Sequence, residues 1–505
     1  MEWIDSYGLS LATFLPVAGA VVLLLLPVGA DGLLKLVGTV FSGLALVVGV
    51  LVVARFDYAG AGEIQLEVNA TWIPQIEASY HIGIDGISLP LFALSLLVSF
   101  LCMIYCWFHI PEPGKTKAFL SLILLLETGM TGTFVALDLI LFFIFFEVVL
   151  VPMYFLIGIW GGSRRQYAAV KFFLYTLFGS IFMLLGFLAI FFQGSSFDMI
   201  ALRNNPPLAS GTLQNIIFVG LFLGFAVKVP MWPFHTWLPD AHTEAPTVGS
   251  VLLAAIMLKM GTYGFIRIAY PILPDAAMYF GPVIGILAVI AIIYGALCCF
   301  AQTDLKRLIA FSSVGHMGFV MLGIATLTDR GINGAIFGMV AHGLITGMLF
   351  FLAGSMHERY HTREIAALGG MLQQIPRFGA LLVYSAIASL GLPGLAGFWG
   401  EMLALLGSYQ PGGGLDPFLF RILMIGGGIG TVLTAGYLLW TLQRVAMGSI
   451  PEKFAAGHNI PDVRPLEWMA WSPLLVLILA AGVYPKLVLG VTDEAVQTLL
   501  GAFGG

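Results

Sequence analysis

Charge is what this sequence has least of. Asp, Glu, Lys and Arg make up 10% of its 505 residues, 59% are hydrophobic, and the mean hydropathy is +0.98. A soluble chain carries about 25% charged residues, so the shortfall excludes a soluble enzyme and implies a polytopic membrane protein. Cysteine is scarce too. Cys102 and Cys106 stand one helical turn apart, Cys298 and Cys299 are adjacent, and no CxxC or Cys/His ligand spacing occurs. That argues against an iron–sulfur, zinc or haem site, so no metal ligands are expected and the thiols read as small buried hydrophobes. With almost no soluble mass, the chain cannot itself bind NADH or hold clusters. The first apolar run, 9–28, lacks a basic segment before it and is expected to be a retained helix, not a cleaved signal. The net charge of −5 reports loop residues and says nothing of nucleic acid.

What is present is hydrophobic length. Fourteen apolar runs are long enough to span a bilayer, near 9–28, 33–54, 86–108, 118–136, 137–160, 170–193, 214–238, 247–270, 278–301, 306–326, 333–356, 378–409, 417–446 and 467–488. The predicted fold is all-α. With the N-terminus outside, the inner loops hold fourteen of the 22 Lys and Arg residues, among them Lys306, Arg359 and Arg363. The outer loops hold six, namely Arg55, Arg203, Arg267, Arg330, Arg421 and Lys486, and the other two are intramembrane lysines. The bias places both termini on the outer face.

Four charges fall inside apolar spans: Glu147 in LILFFIFFEVVLVPMYFLIG, Lys228 in GFAVKVPMWPFH, Lys259 in AAIMLKMGTYG and Glu401 in GLPGLAGFWGE. An ionisable group at that depth costs about 2.5 kcal/mol or more to insert, so it is rarely kept without a use. Alternating acid and base at membrane depth suggests a proton or ion relay. Pro230 and Pro233 break the seventh span beside Lys228, and Gly391, Pro393, Gly394 and Gly397 break the twelfth before Glu401. If spans 4–8 and 9–13 are two units, each break falls in the fourth span of its unit. Five is an odd number, so the second unit enters the membrane from the opposite side and the repeats are inverted, a transporter architecture. Two unrelated kinks are the alternative. The expected division is 1–117 for the first three helices, 118–272 and 273–446 for the repeats, and 447–505 for the last helix.

The segments HIGIDGISLPLF (81–92), FFEVVLVPMYFLIGIWGG (145–162), KVPMWPFHTWLPDAHTEAPTVGSVLLAAIMLKMGTYG (228–264), DLKRLIAFSSVGHMGF (304–319), MHERYHTREI (356–365) and GLPGLAGFWGE (391–401) resemble the antiporter-like membrane subunits of respiratory complex I, NADH:quinone oxidoreductase. The middle motifs are shared with Mrp cation/proton antiporters and membrane-bound hydrogenases. Glu401, the HERYHTREI segment and the lack of a long amphipathic tail point to the M type, because L- and N-type subunits resemble lysine carriers at the position of Glu401. The resemblance implies Glu147 and Lys228 as an acid–base pair, Lys259 as a central relay and Glu401 as the terminal residue. It implies a bacterial inner membrane, with neighbouring antiporter-like and peripheral subunits as partners. NADH, FMN, iron–sulfur clusters and quinone would then be held by those partners, with no cofactor in this chain. The physical logic is independent of the family: desolvation raises a carboxylate's proton affinity and a nearby ammonium lowers it, so moving the ammonium loads or releases a proton.

Other polar residues divide by depth. His316 and His342 lie near the centres of spans 10 and 11, where neutral imidazole can pass protons between its two nitrogens, with satisfied core histidines as the alternative. His235 and His242 flank TWLPDA, and a loop hydrogen-bonded to Asp240 and Glu244 is weighed against a role in proton access. Glu127 in SLILLLETGMTG either supplements Glu147 or pairs locally with Thr128 or Thr131. Asp138 reads as a helix cap, Asp304 as another, and Lys306 and Arg307 as inner-face anchors. Arg363 and Glu364 read as surface pairs or subunit contacts, and His81, His109, His357, His361 and His458 as loop residues without assigned roles. Three functions compete: a proton-pumping subunit of the quinone oxidoreductase, a subunit of a multi-component cation/proton antiporter or membrane-bound hydrogenase, and a free-standing solute transporter. Glu401 favours the first over the second, and nothing marks the substrate cavity that the third needs.

Overall fold

Without water to satisfy peptide groups, a chain crossing hydrocarbon must pair its own N–H and C=O groups, and helices do this within one segment. The computed structural model describes residues 2–455 and 460–503, and His458 lies outside them. Twelve of the described helices are long and apolar enough to cross a membrane. They are α1 (Glu2–Leu25), α2 (Asp31–Arg55), α3 (Ser88–Tyr105), α4 (Thr116–Val135), α5 (Leu139–Trp160), α6 (Arg165–Gly194), α8 (Thr247–Ile272), α9 (Pro274–Phe300), α10 (Leu305–Ala325), α11 (Asp329–Tyr360), α13 (Pro417–Val445) and α14 (Pro465–Val483). Two further segments are each split in half: α7 (Thr212–Lys228 with Trp237–Glu244) and α12 (Pro376–Ser389 with Gly397–Tyr409). The splits fall where the prolines and glycines anticipated them.

The helices are not equivalent. Every residue of the apolar stretch of α8 is buried, and 94% in α11, against 33% in α2 and α13. Helices α8, α10, α11 and α4 therefore form the centre, and α2, α6 and α13 the lipid-facing rim. Small residues set the closest approaches. A Cβ on Gly400 of α12 would stand 2.6 Å from the Gly338 Cα of α11, so these backbones pack only without side chains between them.

An all-α chain was expected, yet the loop after α2 folds as an antiparallel hairpin, β1 (Gln65–Ile73) and β2 (Ala78–Ile84), with Asn69 opposite His81 and Ala70 opposite Tyr80. His81 therefore lies in a strand, not a loop. It is buried between two carboxylates, Nδ1 2.8 Å from Asp198 and Nε2 2.8 Å from Glu67. Burial opposes its charge, but those two neighbours prevail and hold its pKa above the usual imidazole value. Asp138 caps α5 as anticipated, accepting from the Ile140 and Leu141 amides, and also takes the Ser79 amide of the hairpin. A fifteen-residue helix, α15 (Lys486–Leu500), follows α14 and lies on the hairpin face, where Thr492 donates to the Asn333 side chain at 2.6 Å.

Several charges sit deeper than the loops assigned to them. Arg267 belongs to α8 and pairs with Asp85 at 2.5 Å, both side chains under a tenth exposed. Lys306 is 3% exposed and donates to the Ala245 carbonyl, so it pins the α7–α8 turn instead of facing solvent. Arg359 makes a buried pair with Glu467 of α14 at 2.6 Å. His357 falls within α11, and Arg363 pairs with the capping residue Asp304 at 3.1 Å.

Candidate functional site

Glu147 and Lys228 come to one place because α5, α6 and α7 pack together. The Glu147 Oε1 accepts from Ser180 of α6 at 2.5 Å. Lys228 ends the first half of α7, where the helix dipole favours a cation. Its Nζ lies 3.4 Å from the Phe146 carbonyl and 4.4 Å from the centre of the Phe146 ring. Among the described ion pairs none joins Lys228 to Glu147; the ammonium rests on the peptide immediately before the acid. The break after Lys228 leaves carbonyls without helical partners, and they find others: Trp237 donates to Val227 at 3.0 Å and the Met231 amide to Ala226. Pro230 sits inside this turn. Helix α8 crosses the same point, with a Cβ on Gly261 falling 3.1 Å from Lys228 Cβ.

Lys259 lies between two wide helical turns, Leu253–Met257 and Phe265–Ala269, a distortion that often marks functional sites. It is fully buried. Its Nζ reaches the Ala254 carbonyl at 2.5 Å and His342 Nδ1 at 2.6 Å. A charged lysine can only donate, so Nδ1 accepts and the His342 proton sits on Nε2, which has no partner. The His342 and His316 rings are 5.9 Å apart, centre to centre. Both line a cavity of about 30 Å3 together with Thr346, Ser389 and Glu401, enough for a single water. Beyond it, His316 Nδ1 is 3.1 Å from Glu401 Oε1 and its Nε2 3.0 Å from Ser389, while Thr431 donates to Glu401 Oε2 at 3.3 Å. Glu401 stands just inside the second half of α12. The unwound stretch before it uses left-handed backbone at Gly391 (φ 82°) and Gly394 (φ 96°), flanking Pro393.

Other sequence candidates fare differently. Glu127 turns toward the N-terminal helices, accepting from Ser42 of α2 at 3.1 Å; it bonds to neither Thr128 nor Thr131, whose hydroxyls are unpartnered. His235 packs edge-on to Tyr294 at 4.9 Å, and His242 stacks on Phe350 at 4.4 Å. Neither forms the expected bonds to Asp240 or Glu244: Lys171 takes Asp240 at 2.7 Å, and Glu244 accepts the Arg164 amide. Near His242, on the face away from the hairpin, a cavity of about 580 Å3 is lined by His109, Glu244, Lys306, His357 and Glu358 among others. Sequence reasoning missed Ser180, Ser389 and Thr431. Isolated hydroxyls in apolar helices carry no signal, since most bond the carbonyl one turn back, as Ser180 also does with Thr176.

Residues 136–425 match the family described as NADH:quinone oxidoreductase/Mrp antiporter, TM. Among curated proteins, the chain is 40% identical to NADH-quinone oxidoreductase subunit M of Rhodobacter capsulatus, across 97% of this chain and 96% of that one. Among solved structures, it aligns with a chain of respiratory complex I from Thermus thermophilus with bound NADH at a TM-score of 0.87 and 29% identity, covering 98% of this chain and all of that one. A chain of the Mrp complex from Dietzia sp. DQ12-45-1b shares the fold, with TM-score 0.83, but is 20% identical and only 52% covered. Full-length agreement thus lies with the oxidoreductase subunits, and this chain belongs to the subunit M family of NADH-quinone oxidoreductases.

Proposed function

We infer that the chain is the proton-translocating M-type membrane subunit of NADH:quinone oxidoreductase, relaying protons through Glu147, Lys228, Lys259, His342, His316 and Glu401 while quinone is reduced elsewhere in the complex. The observation that carries this reading is the line from buried Lys259 and His342 through partly exposed His316 to Glu401, whose contacts are 2.6 and 3.1 Å on either side of a water-sized gap. A proton can be passed along such a line without any redox group. Lys259 hands a proton to His342 Nδ1, the imidazole releases one from Nε2, and His316 passes it to the Glu401 carboxylate. Glu147 and Lys228 form the loading pair. Moving the ammonium off the Phe146 carbonyl and toward Glu147 lowers the acid's proton affinity, and withdrawing it restores that affinity.

The split helices α7 and α12 support two inverted five-helix units over 118–272 and 273–446, with fourteen crossings in all. The basic-residue bias favours the hairpin face as the outer face of a bacterial inner membrane, with both termini there. Removing Arg267 and Lys306 from the loop counts leaves that bias intact. In this reading FMN, iron–sulfur clusters and quinone belong to partner subunits. The test is Lys259→Ala in the assembled complex. Quinone reductase activity and vesicle acidification should fall together by about tenfold or more, equivalent to roughly 1.4 kcal/mol on the limiting step. An assembled variant that pumps normally contradicts the relay.

A further inference from the structure

The two ends of α8 differ: a water-accessible cavity meets its start, and a buried ion pair lies near its other end. On the face away from the hairpin, the large cavity reaches Lys306 and Thr247 at the start of α8. Toward the hairpin, α8 continues from Lys259 to Tyr263 and Arg267, each about one turn further on and together spanning about 12 Å. Arg267 Nη2 meets Asp85 at 2.5 Å, with side chains 6% and 3% exposed. Its Nε donates to Tyr263 Oη at 3.0 Å, and that hydroxyl donates to the Phe134 carbonyl at the end of α4, also at 3.0 Å. Asp85 is itself held by the Ile87 and Ser88 amides at the start of α3. Above the pair lie Ala495 and Leu499 of α15, around a cavity of only about 10 Å3 that Arg203 also lines.

We propose that Asp85 and Arg267 form an electrostatic seal that stops protons on the relay from escaping along α8 to the hairpin face, so that they must travel through His342 and His316 to Glu401. A helix cap alone does not account for the pair. Asp85 caps α3 with backbone amides and needs no cation, while burying a guanidinium incurs a desolvation cost that a plain structural contact between α8 and α3 avoids. The choice of arginine fits a barrier. A guanidinium cannot give up its proton and so cannot relay one. A fixed buried cation repels hydronium in a narrow path, as arginine does in pores that exclude protons. Tyr263 fills the space between barrier and lysine and is tied to a backbone carbonyl, which leaves its hydroxyl no freedom to carry protons onward.

The inference rests on Lys259 being part of the relay, and its test separates the two. Assembled complexes carrying Arg267→Gln, Arg267→Lys, Lys259→Ala or Arg267→Gln with Lys259→Ala are reconstituted in liposomes. Passive proton conductance and NADH oxidation are then measured on each. Arg267→Gln should raise passive conductance several-fold and lower protons pumped per NADH, with NADH oxidation retained. Arg267→Lys keeps the cation and should stay near wild type, and adding Lys259→Ala should abolish the leak. Unchanged conductance in assembled Arg267→Gln overturns the seal. A leak that persists in the double variant also overturns it, since that leak bypasses the relay. Normal pumping by Lys259→Ala alone instead contradicts the relay itself.

Discussion

Two sets of buried charges share this membrane core, and they are dressed differently. Glu467 and Arg359 form a closed set: Arg359 reaches both Glu467 oxygens, Ser355 donates to the same carboxylate, and the Arg464 amide adds another bond. Asp85 and Arg267 are also held by several partners, the Ile87 and Ser88 amides on the acid and the Tyr263 hydroxyl on the guanidinium. Three residues of the proposed relay are not. Glu147 has one hydroxyl, Lys228 one long contact to a carbonyl, and His342 leaves a nitrogen unpartnered. A charge enclosed by matched donors and acceptors is locked in one protonation state and one position. A charge with few partners can change either, which is what a relay requires and a framework must avoid.

The largest expected effect breaks the closed set. Removing one partner of a buried pair leaves the other uncompensated and costs about 3–5 kcal/mol. Glu467→Ala should therefore cut the yield of assembled complex, measured by native gel, while complexes that do assemble pump normally per molecule. Poor pumping by well-assembled Glu467→Ala would erase the distinction between the two sets. A smaller, functional effect separates two members of the relay. Lys259→Glu replaces the base beside His342 with an acid in a fully buried position and should abolish pumping. Glu401→Lys keeps a chargeable group beside His316 and Thr431 and should retain part of it. Vesicle acidification per assembled complex ranks the two, and the reverse ranking would remove Lys259 from the centre of the path.

The smallest effect concerns the buried imidazole of the hairpin, His81. Because the folded pKa of His81 is raised, its charged contacts stabilise fully below its unfolded value of about 6.5 and fade as pH rises through the folded one. His81→Gln should lower thermal stability by about 1.5 kcal/mol at pH 6, and by less at pH 9. Equal losses at both pH values would mean that the imidazole acts uncharged.

The four charges of the proposed relay were legible because hydrocarbon makes charge conspicuous. Glu147, Lys228, Lys259 and Glu401 stood out as lone ionisable residues in apolar runs, and proline and glycine marked both helix breaks. Their partners were hidden. Ser180 is 33 residues from Glu147, Thr431 is 30 from Glu401, and no periodicity distinguishes a hydroxyl that meets a carboxylate from one that bonds its own helix. Arg267 was misplaced because it lies near a span's end, where an arginine ordinarily marks the interface; its partner Asp85 is 182 residues away. The hairpin escaped notice because its strands expose polar residues amid much stronger hydrophobic signals. Family resemblance supplied the roles, while the orphaned His342 nitrogen and the saturation of the framework pairs came only from the folded chain.

The most direct measurement of the central claim is proton pumping by Glu147→Gln in sealed vesicles, normalised to assembled complex. Glutamine keeps the size and the Ser180 contact but cannot take up a proton. Assembly should stay near wild type, with acidification and coupled quinone reductase activity both greatly reduced; assembled Glu147→Gln complexes that acidify vesicles at the wild-type rate would contradict a proton-loading role for Glu147.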